Sequence, residues 1–263
     1  MTVLHDRLPV KPWMELRTAR LPGIQPVAPG DWLRVDEAYA GQMAERARLI
    51  AARLDAVHAL LPQAEAAAAE LLEVVLTELP ALGFVPEGAG WRCPDGRLVS
   101  IDRAVPLVTL GQLVQEDFCI LQPGPDGTHV LTGAILCFPA SWTLAEKLGR
   151  GMPGVHAPVA VYDATLAARV QRLLDAVRPE QPLWRANALD YVDPALFQPR
   201  SEADKRPPDT EARGYIRSER QCLARLPKTG AVVFSIHTYV VRRETLTPEE
   251  EAAFVARDTA EAP

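Results

Sequence analysis

The apolar run at residues 231–241, AVVFSIHTYVV, constrains the fold more than any other part of the chain. It is dense in β-branched and aromatic residues, which are typical of strands. Two further runs, at 116–121 and 129–138, are separated by a PGPDG turn at 123–127 and predict an antiparallel hairpin. A fourth strand is predicted at 183–189. The chain is therefore expected to be built around a sheet.

Helical segments come before, between and after these strands. Their apolar residues recur at the helical spacing, as Met43, Ala47, Ile50 and Leu54 do. The helices are predicted at residues 31–60, 63–79, 106–114 and 163–176, and in a last segment whose N-cap is Thr247. Pro62 separates the first two helices, which predicts an N-terminal α-hairpin. This order of elements predicts an α+β fold with a mainly antiparallel sheet.

The first thirty residues differ from the rest of the chain. They contain five prolines and show no periodicity, so we expect an extended arm at 1–30 that lies on a single α+β domain at 31–263. The residues expected to anchor this arm are Trp13, Leu16 and Leu21. A polar, proline-rich stretch at 198–210 is predicted to be a flexible loop.

Composition narrows the classes of function. The formal net charge is -6, which argues against a general nucleic-acid binder, since such proteins usually present a basic face. No stretch approaches the roughly 18 uninterrupted apolar residues of a membrane span, and the N-terminus lacks the features of a secretory signal. We therefore expect a cytoplasmic protein. The four cysteines form no C-x-x-C pair, so neither a structural zinc site nor a disulfide framework is expected.

Common catalytic motifs are absent from the sequence, including GxGxxG and P-loop phosphate-binding sequences, the GxSxG elbow and HExxH. Any functional site must therefore be inferred from single residues, above all from His156. It follows an apolar run and an aromatic turn, and Pro153, Gly154 and Pro158 bracket it in what we expect to be a stiff, non-helical loop. A neutral imidazole held in this way is suited to bind a metal or a heme iron. A packing or capping role is the alternative.

The other histidines fall into two groups. His237 lies within the strand predicted at 231–241, on the face shared with Ser235 and Tyr239, where it either lines a cavity or is a satisfied buried imidazole. The remaining three are expected at the surface: His5, His58 and His129.

Two arginine-containing segments offer sites for an acidic ligand. Arg185 follows a tryptophan in the sequence WRAN, and Arg220 follows Glu219 in the charged segment 217–227. Arginine can hold a carboxylate, such as a heme propionate, in bidentate fashion. Each segment is also compatible with a surface ion pair, which would contribute little to stability.

Seven short motifs in a fixed order carry a resemblance to a known family. They are QEDFCIL at 115–121, LCFPASW at 136–142, EKLG at 146–149, VHAPV at 155–159, WRAN at 184–187, ERQCLARLP at 219–227 and FSIHTY at 234–239. Each is short, but their order resembles the heme-dependent oxidative N-demethylase family, the heme-bearing subunit of dimethylamine-type monooxygenases. The resemblance covers residues 30–245.

The resemblance implies a fold, a cofactor and a reaction. It implies a PAS-like α+β domain that binds heme b and takes electrons from NADPH through a separate reductase partner carrying flavin and an iron–sulfur cluster. Molecular oxygen is activated at the iron, and a small methylated amine loses an N-methyl group as formaldehyde. On this chain the resemblance makes His156 the iron ligand. Side-chain chemistry supplies the other candidates: Arg185 and Arg220 for the propionates or distal pocket, Glu219 for an ammonium substrate, and His237 as a second catalytic group.

One position departs from the family pattern. Members often have a tryptophan after the WRAN motif, where this chain has Ala188. The substrate is therefore the part of the resemblance that transfers least directly. Two alternatives to an N-demethylase follow: a heme-based sensor or binding module without turnover, and a degenerate member that binds no heme.

Overall fold

A seven-stranded antiparallel sheet is the centre of the computed structural model, which describes residues 2–19, 23–156, 163–204 and 213–261. Its strands are β1 (Gln25–Pro26), β2 (His58–Leu60), β6 (Asp117–Pro123), β7 (His129–Ile135), β8 (Leu183–Tyr191), β9 (Tyr215–Arg225) and β10 (Val232–Arg242). They are arranged in the order β1-β8-β9-β10-β6-β7-β2. A small second sheet contains β3 (Val85–Glu87), β4 (Gly90–Arg92) and β5 (Leu98–Ser100).

Eight α-helices surround the sheet in the described ranges. They are α1 (Leu16–Ala19), α2 (Tyr39–Val57), α3 (Glu65–Glu78), α4 (Pro106–Leu113), α5 (Leu144–Lys147), α6 (Met152–Val155), α7 (Ala164–Ala176) and α8 (Pro248–Glu261). The predicted α+β class with a mainly antiparallel sheet is confirmed; the PAS-like description stays a prediction. Within these ranges, none of the helices combines the length and apolar character needed to cross a bilayer.

The strand register gives the long strands two distinct faces, because directly opposed residues on antiparallel neighbours point the same way. The face that we call the front face carries Arg185, Asn187, Glu219, Gln221 and Thr238. The opposite face, which we call the back face, carries Ala186, Arg220, Ser235, His237 and Tyr239. Two residues adjacent in sequence, Glu219 and Arg220, therefore lie on opposite sides of the sheet.

Different elements cover the two faces. Helices α2, α3 and α4 pack on the back face in a core that includes Leu49, Leu71, Leu107, Phe118 and Val233. Helices α5, α6 and α7 cover part of the front face through Leu144, Met152, Leu174, Cys119 and Ile236. The N-terminal arm and α8 form a third cluster with Leu8, Trp13, Ala188, Tyr239 and Phe254.

Several locally encoded features are confirmed. The hairpin of β6 and β7 forms around the predicted turn, where Gly127 adopts a positive φ of 81° that favours glycine. Thr247 caps α8 through a reciprocal pair: its Oγ1 accepts from the Glu250 backbone N–H, and a Glu250 carboxylate oxygen accepts from the Thr247 N–H. Asp163 likewise caps α7, since its carboxylate accepts from the Leu166 N–H at 2.7 Å.

The start and end of the first long helix differ from the prediction. Helix α2 begins at Tyr39, and its backbone leaves helical geometry at Arg53, shortly before the chain becomes β2. Strand β2 pairs with β7 and protects an edge that would otherwise be open. A strand therefore interrupts the predicted α-hairpin. His58, expected on an exposed helix face, is instead partly buried in this edge strand.

In the segment predicted to be an extended N-terminal arm, α1 and β1 interrupt the extended backbone. Trp13 is buried, donates from Nε1 to the Glu250 carbonyl at 3.0 Å and packs edge-on against Phe254. The Leu16 side chain and Leu21, the other two expected anchors, lie outside the described parts of the chain. The boundary between 1–30 and 31–263 stays a prediction. The flexibility of the loop at 198–210 also stays a prediction, and its residues 205–210 lie outside the described parts of the chain.

Candidate functional site

The first group of candidate residues meets on the front face, where the short helix α6 ends at His156. The sequence predicted a non-helical loop here, but Pro153 occupies the first turn of α6, where its missing N–H costs nothing, and His156 is the C-cap. The His156 N–H and Nδ1 both contact the Met152 carbonyl, at 3.1 Å and 2.9 Å. Residues 157–162, including Pro158, lie outside the described part of the chain.

The contact with Met152 defines the chemistry of this imidazole. A carbonyl oxygen only accepts hydrogen bonds, so Nδ1 must carry the proton and the neutral ring keeps its lone pair on Nε2. Burial lowers the pKa of His156; the Met152 hydrogen bond opposes the shift, and the positive charges of Lys147 and Arg185 add to it. His156 is therefore a neutral imidazole whose Nε2 has the form that binds a metal.

Arg185 is the most unusual charge on the front face. Burial lowers its pKa, and Glu219 is the one group that opposes the shift. Within the described part of the chain, no hydrogen bond or ion pair reaches its guanidinium, and its Nε is buried without an acceptor. A partly buried cation in this state is suited to pair with an anion, because burying an unpaired charge is costly.

Glu219 lies at the centre of a polar cluster beside Arg185. Its carboxylate accepts from Gln221 at 3.0 Å, from Asn187 at 3.3 Å and from Arg217 Nε at 3.3 Å. The Asn187 side-chain oxygen in turn accepts from the Glu219 backbone N–H. Glu219 is 8% exposed. Donors from strands β8 and β9 fix the position of its carboxylate.

Apolar side chains continue this face beyond the polar cluster. They are Leu223, Phe234 and Ile236 from the sheet, Trp142 from the turn after β7, and Met152 and Val155 from α6. A flat, mostly apolar ring with two acidic groups needs surroundings of this kind: apolar walls, one metal ligand and a cation. The front face offers all three.

The other candidate residues lie on the back face, in a closed network of charges. His237 is 1% exposed and stands between two carboxylates: Glu116 at 2.9 Å from Nδ1 and Asp36 at 2.9 Å from Nε2. Burial would lower the pKa of His237, but Glu116 and Asp36 outweigh it and raise the pKa to about 9. Its face, shared with Ser235 and Tyr239, is as predicted. The imidazole is satisfied and buried, which was the alternative reading of this residue.

His5 completes this network and corrects the expectation that it lies at the surface. It is 3% exposed, and its Nε2 lies 3.0 Å from the same Asp36 oxygen that His237 contacts. Burial opposes ionisation of Asp36, but its hydrogen bonds with His237 and His5 hold its pKa well below the usual range. His129, also expected at the surface, is 1% exposed and bonds to Gln171.

Three of these groups lie close enough to suggest a metal centre: His5, Asp36 and His237. The backbone argues against one. The Val240 N–H donates to His5 Nδ1 at 3.2 Å, so the proton of neutral His5 must sit on Nε2, the atom that a metal would need. The back-face network is therefore a set of hydrogen bonds and ion pairs that joins the arm to the sheet.

Arg220 belongs to the back face as well, and protein groups already occupy most of its donors. It donates to the carbonyls of Asp31 and Trp32, pairs with the Asp31 carboxylate at 3.1 Å and stacks over Trp184 at 5.4 Å, with Nε left without an acceptor. Ala188 is on this face too and packs in the cluster with Trp13. Ala188, where the resemblance predicts a tryptophan, thus faces away from His156.

The structure therefore divides the candidate residues into two sets. His156, Arg185 and Glu219 share the front face, whereas Arg220 and His237 share the back face. Sequence reasoning missed Asn187 and Lys147 as members of the front-face site, although both occur within the quoted motifs. Their signal was the alternation along β8 and the proximity of the EKLG motif to His156.

Comparison with known families identifies the family of this chain. The model of the family described as haem-dependent oxidative N-demethylase, alpha subunit-like, matches residues 23–262. The match includes all seven strands of the main sheet and the residues His156, Arg185, Glu219, Arg220 and His237. The chain therefore belongs to the haem-dependent oxidative N-demethylase alpha subunit-like family.

Proposed function

We propose that the chain binds heme b on the front face and catalyses oxidative N-demethylation of a small methylated amine, with release of formaldehyde. One observation carries the proposal: the imidazole of His156, held by Met152, shares one partly apolar surface with Arg185, whose guanidinium has no acceptor in the described ranges. His156 would ligate the iron through Nε2, and Arg185 would pair with a propionate. Arg220, already bonded to Asp31 and Trp32, is a weaker candidate for that contact.

The front-face residues would have different roles around the cofactor. Heme, when bound, supplies the oxygen-dependent oxidative chemistry, and the protein supplies binding, orientation and electrostatics. The Met152 carbonyl holds the proton of His156 on Nδ1 and fixes the orientation of the ring. Leu223, Phe234 and Ile236 would exclude water from the ring faces.

Glu219 is the group proposed to attract the substrate. A small methylated amine is a cation at neutral pH, and a carboxylate held by Gln221, Asn187 and Arg217 offers it a fixed opposite charge. The two amides would orient the amine relative to the carboxylate. His237 has no such access, because it is enclosed by Glu116 and Asp36 on the other face, so its proposed role is structural.

The electron supply is part of the same proposal. The family description names an alpha subunit, which supports a multi-subunit enzyme. We propose that a separate reductase subunit with flavin and an iron–sulfur cluster delivers electrons from NADPH, and that molecular oxygen is the co-substrate. The cytoplasmic location is proposed from the sequence alone.

Reconstitution with hemin tests the cofactor and its ligand. We expect a Soret band in the wild-type protein, loss or displacement of that band in His156→Ala, and recovery on addition of free imidazole. His58→Ala is the matched control, because His58 is a partly buried histidine in edge strand β2. An unchanged Soret band in His156→Ala would show that His156 is not the ligand.

Turnover distinguishes an enzyme from a heme-based sensor. We expect formaldehyde from a panel of methylated amines when a flavin/iron–sulfur reductase and NADPH are present. We expect Glu219→Gln to raise KM for cationic substrates without removing the Soret band. Normal heme binding with no formaldehyde from any amine would instead support the sensor.

A further inference from the structure

Lys147, at the end of α5, is a buried lysine in contact with the segment that carries His156. It is 3% exposed, which is rare for lysine unless its charge is paired. Its Nζ donates to the Val155 carbonyl at 2.6 Å and to Glu202 Oε1 at 2.6 Å. Val155 immediately precedes His156, so the lysine holds the peptide group that leads into the candidate ligand.

The Val155 carbonyl needs such a partner because α6 is a single turn. The last carbonyls of any helix lack intrahelical donors, and α6 has only four residues. Among the described residues, the backbone bonds of this turn are Val155 N–H to the Gly151 carbonyl and His156 N–H to the Met152 carbonyl. Lys147 adds a charged donor to the carbonyl of the peptide group that joins Val155 to His156.

Glu146 strengthens the arrangement from the neighbouring position. Its carboxylate accepts from Ser201 Oγ at 2.7 Å, from the Glu202 backbone N–H at 3.1 Å and from Thr143 Oγ1 at 2.7 Å. Glu202 is thereby held where it can pair with Lys147. Two adjacent residues of the EKLG motif thus fix the Glu202 segment and the His156 turn relative to each other.

We propose that Lys147 is a positioning residue: its hydrogen bond to the Val155 carbonyl fixes the orientation in which His156 meets the heme iron. The proposal rests on the proposed function, since it requires His156 to be the ligand. Lys147 itself touches neither iron nor substrate. Groups that orient a metal ligand typically change metal affinity by about 10- to 100-fold when they are removed.

Two substitutions and one control isolate this hydrogen bond. Lys147→Met keeps most of the length and removes the donor, and Lys147→Gln keeps a donor without the charge. Arg150→Met is the matched control, because Arg150 pairs with the same Glu202, at 3.0 Å, and is largely exposed. If Lys147→Met does not fold, Lys147→Gln supplies the comparison.

Hydrogen exchange of the heme-free proteins gives a readout independent of turnover. We expect the Val155 and His156 amides to exchange at least about 10-fold faster in Lys147→Met than in the wild type, and to be unchanged in Arg150→Met. For the hemin-loaded proteins we expect a shifted or broadened iron–histidine stretching band and heme dissociation about 10-fold faster in Lys147→Met.

The outcomes separate this inference from the proposed function. If His156→Ala loses ligation but Lys147→Met retains the wild-type band and dissociation rate, the positioning role is overturned and the heme proposal stands. If His156→Ala leaves the Soret band unchanged, both fail. Equal changes in Lys147→Met and Arg150→Met would show that Glu202 matters rather than the bond to Val155, which also overturns the positioning role.

Discussion

The front and back faces of strands β8, β9 and β10 contain similar residue types in opposite states. On the back face, Arg220 donates to Asp31 and Trp32. On the front face, nothing in the described ranges accepts from Arg185. Most donors of Arg220 have protein acceptors and need no ligand, whereas a partly buried arginine with no acceptor in the described ranges favours one.

The two central histidines show the same difference. Burial lowers the pKa of both, but two carboxylates reverse the effect at His237 and raise its pKa to about 9. His156 has a carbonyl at Nδ1 and the cations Lys147 and Arg185 nearby, and its pKa stays lowered. The surroundings, rather than the residue type alone, decide whether a buried histidine is a cation or a neutral imidazole.

The largest effect should come from pH, through His237. Because its pKa is higher in the folded protein than the ordinary 6.5, its contribution is complete below pH 6.5 and is lost as the pH rises through about 9. The shift corresponds to about 3 kcal/mol of unfolding free energy. Urea unfolding between pH 6 and 9 measures it as the difference between the wild type and His237→Gln.

His58→Gln is the control for this experiment. Burial lowers the pKa of His58, so its contribution is lost as the pH falls instead. This variant should keep the loss of stability between pH 6.5 and 9. If the difference between the wild type and His237→Gln does not vary with pH, His237 is not a cation held by Asp36 and Glu116.

A smaller effect should separate the two arginines in the heme-free protein. Arg220→Met leaves the Asp31 and Trp32 carbonyls without their donor and should lower the free energy of unfolding by about 2 kcal/mol. Arg185→Met removes a cation that has no acceptor in the described ranges. It should change the free energy of unfolding by less than about 0.5 kcal/mol, or raise it. Urea denaturation at pH 7 measures both. Equal losses would mean that Arg185 already has a strong partner in the protein.

The two arginine variants should show the opposite order of effects when heme affinity is measured. Arg185→Met is expected to weaken hemin binding, because the proposed propionate partner is lost, and Arg220→Met is expected to leave it near the wild-type value. A hemin titration followed at the Soret band tests this on the same two proteins. Stronger dependence on Arg220 would place the propionates on the back face.

Local sequence patterns predicted much of the fold but little of this division. The β6–β7 hairpin, β10 and the Thr247 cap depend on residues close together in the chain, so turn chemistry and propensity were sufficient. The segment at 213–226 was not predicted as a strand, because charges interrupt its apolar pattern. Without that strand, Glu219 and Arg220 could not be assigned to opposite faces, although alternation separates any two adjacent strand residues.

Long-range contacts explain the other misses. His5 is buried because its backbone N–H donates to the Val240 carbonyl, a contact across 235 positions that no local pattern encodes. β2 forms because β7 presents an open edge, which depends on the assembled sheet. The order of motifs predicted His156 as a ligand candidate. The sequence did not predict that Lys147 donates to the neighbouring carbonyl of Val155, because this contact depends on how α5 packs against α6.

The smallest effect should come from two hydroxyls on β10 that lie on opposite faces. Ser235 Oγ accepts from Trp32 Nε1 at 3.0 Å on the back face, whereas Thr238 Oγ1 on the front face is buried without a partner in the described ranges. Ser235→Ala should lower the free energy of unfolding by about 1 kcal/mol, because it leaves a buried indole N–H unsatisfied. Thr238→Val should leave the free energy of unfolding unchanged or raise it by roughly a few tenths of a kcal/mol. Thermal and urea unfolding of the heme-free variants measure both. A larger loss in Thr238→Val than in Ser235→Ala would mean that the Thr238 hydroxyl is already satisfied within the protein, and the distinction between a structural face and a ligand face would no longer hold.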